Sequence, residues 1–133
     1  MGVLVATVAR APDPADGGRP TVRTLHVVKN WRSAPKTQFV RARDCVQRPR
    51  SCVNGIGGQE LVYLLKGKMP TRSTTTALVL TDTNCAADPN GISHCHNVLR
   101  LASGSMMTVR HDHSMGNDPC LVPGERVRVR PLR

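Results

Sequence analysis

Residues Glu125-Arg-Val-Arg-Val-Arg130 alternate polar and apolar at every step. That is the period of a half-buried strand, with Arg126, Arg128 and Arg130 facing outward. The same reading extends upstream. Thr74-Thr-Thr-Ala-Leu-Val-Leu-Thr-Asp-Thr83 is rich in β-branched residues, and Asp88-Pro-Asn-Gly91 is a strong turn signal. Thr21 to Lys29 carries the strand formers Val22, Leu25, Val27 and Val28, and Thr37 to Cys45 reads as another short strand. Glu60 to Lys66 is apolar and too short for periodicity to separate a strand from a helical turn. Short strands separated by Gly/Pro turns predict an all-β fold, a small barrel or sandwich of antiparallel strands.

The most informative segment runs from His94 to Met115. His94-Cys-His96 and His111-Asp-His113 flank a stretch that reads as two strands joined by a tight turn. With Ser103-Gly104 as a two-residue loop, His96 stands opposite His111 and His94 opposite His113. A four-residue loop, Ala102 to Ser105, keeps that pairing. A three-residue loop moves the two pairs to opposite faces. Residues two apart share a face, and directly opposed Cβ atoms lie about 5 Å apart. The two-residue register therefore predicts a metal site of His94, His96, His111 and His113, with Met115 as an auxiliary ligand. It places Met107 on the histidine face and Cys95 on the other. Asp112 and Asp118 are candidate acceptors for the ring N–H groups. Imidazole suits copper and zinc, and a neighbouring Met favours copper.

Composition changes the picture mainly in the N-terminal half. The chain has 133 residues, one domain's worth, and a formal charge of +10. Residues 1–70 hold twelve Lys/Arg against four Asp/Glu, whereas residues 71–133 hold seven against five. Residues 10–20 are a linker by composition, and Gln47 to Gln59 is irregular. The expected organisation is a basic, Pro/Gly-rich, poorly ordered region over 1–59, followed by a β domain over 60–133, to which the earlier strands can add. The basic charges are not interleaved with aromatics; Trp31, Phe39 and Tyr63 are the only ones. Nucleic acid is accordingly not the expected partner. No stretch approaches the roughly 20 apolar residues of a membrane-spanning helix.

Five cysteines, at 45, 52, 85, 95 and 120, make an odd number and include no Cys-x2-Cys. Cys45 with Cys52, and Cys85 with Cys120, are the expected disulfides, leaving Cys95 as a thiol. Such usage suits an oxidising compartment, a lean toward an extracytoplasmic location. The apolar start, Met1 to Ala9, lacks the basic residues that open a secretory signal.

His94-Cys95-His96, with Gly104 and Met106 downstream, resembles the copper-ligand segment of multicopper oxidases over about a dozen residues. Arg100 stands at the second type 1 histidine position, and the axial position falls on Ser105. The chain is assigned to no family on this basis. It has no Gly-x-x-x-x-Gly-Lys-Ser/Thr, no His-Glu-x-x-His and no Gly-x-Ser-x-Gly. No general acid or base is identifiable, so a non-catalytic role is expected. The leading expectation is a small copper- or zinc-binding β protein of carrier, sensor or storage type. The alternative is a disulfide-supported binding or structural module with no catalytic role.

Overall fold

The computed structural model describes residues 21–29, 42–48, 54, 60–70, 74–114 and 120–132. Six strands lie in these segments: β1 (Thr24–Lys29), β2 (Leu61–Lys66), β3 (Thr75–Val79), β4 (Ile92–Leu101), β5 (Met106–Ser114) and β6 (Arg126–Pro131). One short helix, α1 (Ala42–Gln47), precedes β2. The strands close into an antiparallel barrel in the order β1-β2-β5-β4-β3-β6, with β6 returning to β1. Closure removes the unpaired edges that an open sheet would expose. Among the described residues, no helix is long and apolar enough to cross a membrane.

Alternation decides what fills the barrel. Leu25 and Val27 of β1, Val62 and Leu64 of β2, Ala77 and Val79 of β3, and Leu99 and Leu101 of β4 form one buried cluster. Met107 and Val109 of β5, Val127 and Val129 of β6, and Leu121 complete it. Each of the buried Val, Leu and Met side chains contributes about 1.5–3 kcal/mol relative to leaving it in water. Outward positions of β6 behave as its alternation predicts: Arg126 is exposed and Arg128 and Arg130 are half-buried.

One strand expectation needs correction. Ala42–Gln47 is helical, although Thr37 to Cys45 reads as a strand; residues 37–41 lie outside the described residues. The helix is retained by packing, since Cys45 joins Leu61 and Leu132 in a second buried cluster on the outside of the barrel. Of the earlier strands that the sequence allows to join the β domain, Thr24–Lys29 does so. β1 pairs with both β2 and β6, so the barrel does not close without Thr24–Lys29.

The β4–β5 register is the second correction, and it bears on the site. His94 stands opposite Asp112, Cys95 opposite His111, and His96 opposite Arg110. The connecting loop has three residues, Ala102, Ser103 and Gly104. Gly104 N donates to Leu101 O at 2.8 Å, and Leu101 N donates to Ser105 O at 2.8 Å. Gly104 takes φ of +92°, whereas Ala102 and Ser103 stay at negative φ. A two-residue type I′ loop needs positive φ at both central positions, and Ser103 would have had to supply one of them. The three-residue loop uses the single glycine where left-handed backbone is required.

Candidate metal centre

The one-residue shift separates the histidines. On β4, His94 and His96 face outward and are half-buried, while Ser93, Cys95, Asn97 and Leu99 face the interior. On β5, Met107, Val109, His111 and His113 face the interior and are buried. The expected ligands His94, His96, His111 and His113 are therefore split between two faces. Met115 and Asp118 lie outside the described residues. The expected opposition of the Cys95 face to the His94 and His96 face holds, because it depends on alternation and not on register.

Each histidine has its own surroundings. His94 Nε2 lies 2.9 Å from Asp88 Oδ2, and its Nδ1 lies 2.6 Å from Asp112 Oδ1. A carboxylate at each ring nitrogen offers both N–H groups of an imidazolium an acceptor. Asp112 thus acts as the ring acceptor expected of it, though for a crosslink and not for a metal ligand. It is fully buried and also takes a hydrogen bond from Arg110 Nε at 3.0 Å. Asn54 donates to the Asp112 carbonyl at 2.9 Å and exchanges hydrogen bonds with the Leu61 backbone, closing over that side. The His94 contact is the main cause that holds the Asp88 carboxyl below its ordinary value. His96 Nδ1 lies 3.5 Å from Asn84 Nδ2. Inside the barrel, the rings of His111 and His113 stack at 4.3 Å. Glu60 Oε1 approaches His111 Nε2 at 3.4 Å, and His113 Nε2 lies 3.3 Å from Cys95 Sγ.

A different set converges. Asp82, Cys85, Cys95 and Cys120 each present one ligand atom, and all four atoms lie within 4.8 Å of one another. These four side chains form a group able to hold a metal ion when Cys85 and Cys95 are not bonded to each other. Cys95 comes from the interior face of β4 and is fully buried; the other three come from loops and are half-buried. Two loops are needed to assemble the group. The segment carrying Asp82 and Cys85 runs back along β4, bridged at Thr83–His96 and Ala87–Ser93. Thr83 and His96 exchange backbone hydrogen bonds of 2.9 and 2.7 Å. The segment carrying Cys120 is held by Lys29, whose Nζ donates to the Cys120 carbonyl at 2.7 Å and approaches Glu125 at 3.8 Å.

Asn97 ties the loops together. Its Nδ2 donates to Thr81 O at 2.9 Å and to Asp82 Oδ1 at 3.0 Å, and lies 3.4 Å from Leu121 O. The residue is fully buried, so these bonds form where water does not compete. They orient Asp82 toward the cysteines and bring the chain next to Cys120 against β4.

Cys85 and Cys95 are disulfide-bonded to each other, so the expected Cys85–Cys120 bridge is corrected. Cys120 is not in a disulfide. Cys45 is disulfide-bonded, but its expected partner, Cys52, lies outside the described residues. Cys85 Sγ lies 3.3 Å from Asp82 Oδ1. Burial raises the Cys120 thiol above its ordinary pKa; the Asp82 carboxylate adds to this, and the Lys29 cation opposes it. Cys120 is therefore a thiol at neutral pH, and a metal ion would displace its proton.

Comparison with known proteins gives no relative from which a role could be transferred: no protein-family model, curated protein or solved structure matches the chain.

Proposed function

We propose that this barrel binds a soft transition-metal ion, zinc or copper(I), as a carrier or storage module. The observation that carries the reading is the convergence of Asp82, Cys85, Cys95 and Cys120 within 4.8 Å. Once the Cys85–Cys95 bond is reduced, three thiolates and one carboxylate are a donor set for a thiophilic ion, and four donors match the tetrahedral preference of zinc. Copper(I) is favoured by the same sulfurs and gains less from Asp82. His113, 3.3 Å from Cys95 Sγ, is a nitrogen donor at hand should the carboxylate not bind. Half-burial of three of the four ligands leaves the ion a path from solvent.

A second reading has its own support. The Cys85–Cys95 disulfide crosslinks the long β3–β4 connection to β4, and a disulfide-supported structural module would need nothing more. One experiment separates the two. The reduced protein is exposed to zinc or copper(I), excess metal is removed, and the retained metal is counted by elemental analysis. Metal binding predicts about one ion per chain, with a loss of at least tenfold in affinity for Cys120→Ser. The Cys120 side chain is outside the disulfide, so the structural module predicts no retained metal and no effect of that substitution.

A further inference from the structure

The four donors offer two mutually exclusive chemical states. Resting on the metal reading above, we propose that the cluster is a redox-gated release site. Formation of the Cys85–Cys95 bond by a small disulfide oxidant expels the ion, and reduction by a dithiol restores the site.

A disulfide consumes the two thiolates that the ion would need. With Cys85 and Cys95 joined, as they are here, only Asp82 and Cys120 of the four remain to bind. Two ligands cannot hold a tetrahedral ion against water with the affinity of four. The backbone need not move between the states. Cys85 stands beside Cys95, their Cα atoms 4.2 Å apart, between the Thr83–His96 and Ala87–Ser93 bridges. Those bridges are main-chain contacts and do not depend on the state of the sulfurs. Cys120 arrives on a separate segment secured by Lys29, so it stays in place when the other two react.

Access sets the order of events. Cys95 is fully buried, whereas Cys85 is half-buried and is the sulfur an oxidant can reach. The Cys85 thiolate attacks one sulfur of a small disulfide R–S–S–R; the R–S–S–R bond breaks, one thiolate leaves and a mixed disulfide forms. The Cys95 thiolate then attacks Cys85 Sγ, the second thiolate leaves, and the Cys85–Cys95 bond forms. Two protein thiolates have given two electrons to the oxidant, and the metal ion departs with its charge unchanged. A dithiol reverses both steps.

Coupling between metal and oxidation must then be reciprocal. Zinc at about 100 times its Kd should lower the equilibrium ratio of disulfide to dithiol at this pair by about 100-fold. The test uses the full chain, reduced and loaded with zinc, then titrated with glutathione disulfide. Released zinc is read with a chromophoric chelator, and the Cys85–Cys95 peptide is quantified by mass after alkylation. One zinc released per Cys85–Cys95 bond formed, together with protection of the pair by excess zinc, is the expected result. Zinc that stays bound while the bond forms, or a bond that forms equally well with and without zinc, overturns the gate alone. Reduced protein that takes up no zinc at the outset overturns the metal reading and this proposal together.

Discussion

Asp112→Asn tests the register on which the arrangement of the site depends. Asp112 is fully buried and accepts charge-assisted hydrogen bonds from His94 at 2.6 Å and Arg110 at 3.0 Å. Such bonds contribute about 1.5–3 kcal/mol each when lost outright. Two features reduce the cost here. His94 and Arg110 keep 33% and 26% side-chain exposure, so both can rehydrate, and asparagine retains one acceptor oxygen. The net loss should be about 2 kcal/mol. For a barrel of this size that is a fall in Tm of about 8–16 °C. The assay is thermal and urea unfolding in the presence of a chelator, run as a double-mutant cycle with His94→Gln. Because the two side chains touch, their effects should be non-additive by about 1 kcal/mol. If His94 instead faced His113, the two substitutions would add to within about 0.5 kcal/mol, and that result would refute the observed pairing.

Two further outcomes follow from the same geometry. The Asp88 carboxyl lies below its ordinary value of 3.8 in the folded chain, chiefly through its hydrogen bond with His94 and then through the Ile92 amide. A carboxylate whose folded pKa is depressed stabilises the fold above its unfolded pKa, and that contribution is lost as pH falls through the folded value. Asp88→Asn should therefore flatten the acid side of the stability curve below 3.8, read by urea midpoints across pH; an unaltered acid side would contradict the His94 contact. Gly104→Ala should cost about 1–2 kcal/mol in urea unfolding, because alanine resists the φ of +92°. No atom lies within 4 Å of the added Cβ, so the cost is conformational, and Gly104→Asn should be milder.

What the sequence reveals here depends on how local the signal is. The β6 strand was legible because Arg126 to Arg130 alternate without exception, and any one-sided strand must then bury Val127 and Val129. The β4–β5 hairpin was legible as two strands and a turn. Its register was not, since Ser103-Gly104 fits loops of two, three or four residues, and one step exchanges the faces. The choice is made by left-handed backbone at a single glycine. α1 was misread because six residues carry too little periodicity, and the packing of Cys45 onto Leu61 and Leu132 decides.

The cysteine cluster was the least legible part. Its members carry no short motif; Asp82, Cys85, Cys95 and Cys120 span the chain from before β4 to before β6. They meet because the barrel closes, because the 80s loop retraces β4, and because Asn97 pins both loops. The local signal that existed was the parity argument. Cys95 must point away from His94 and His96, into the interior, where another loop can meet it.

Ligand counting by X-ray absorption at the edge of the bound metal tests the central claim most directly. The zinc-loaded, reduced protein should show three sulfur scatterers at about 2.3 Å and one oxygen or nitrogen scatterer at about 2.0–2.1 Å. A shell of nitrogen and oxygen alone would place the ion on the histidines and contradict the cysteine–aspartate site.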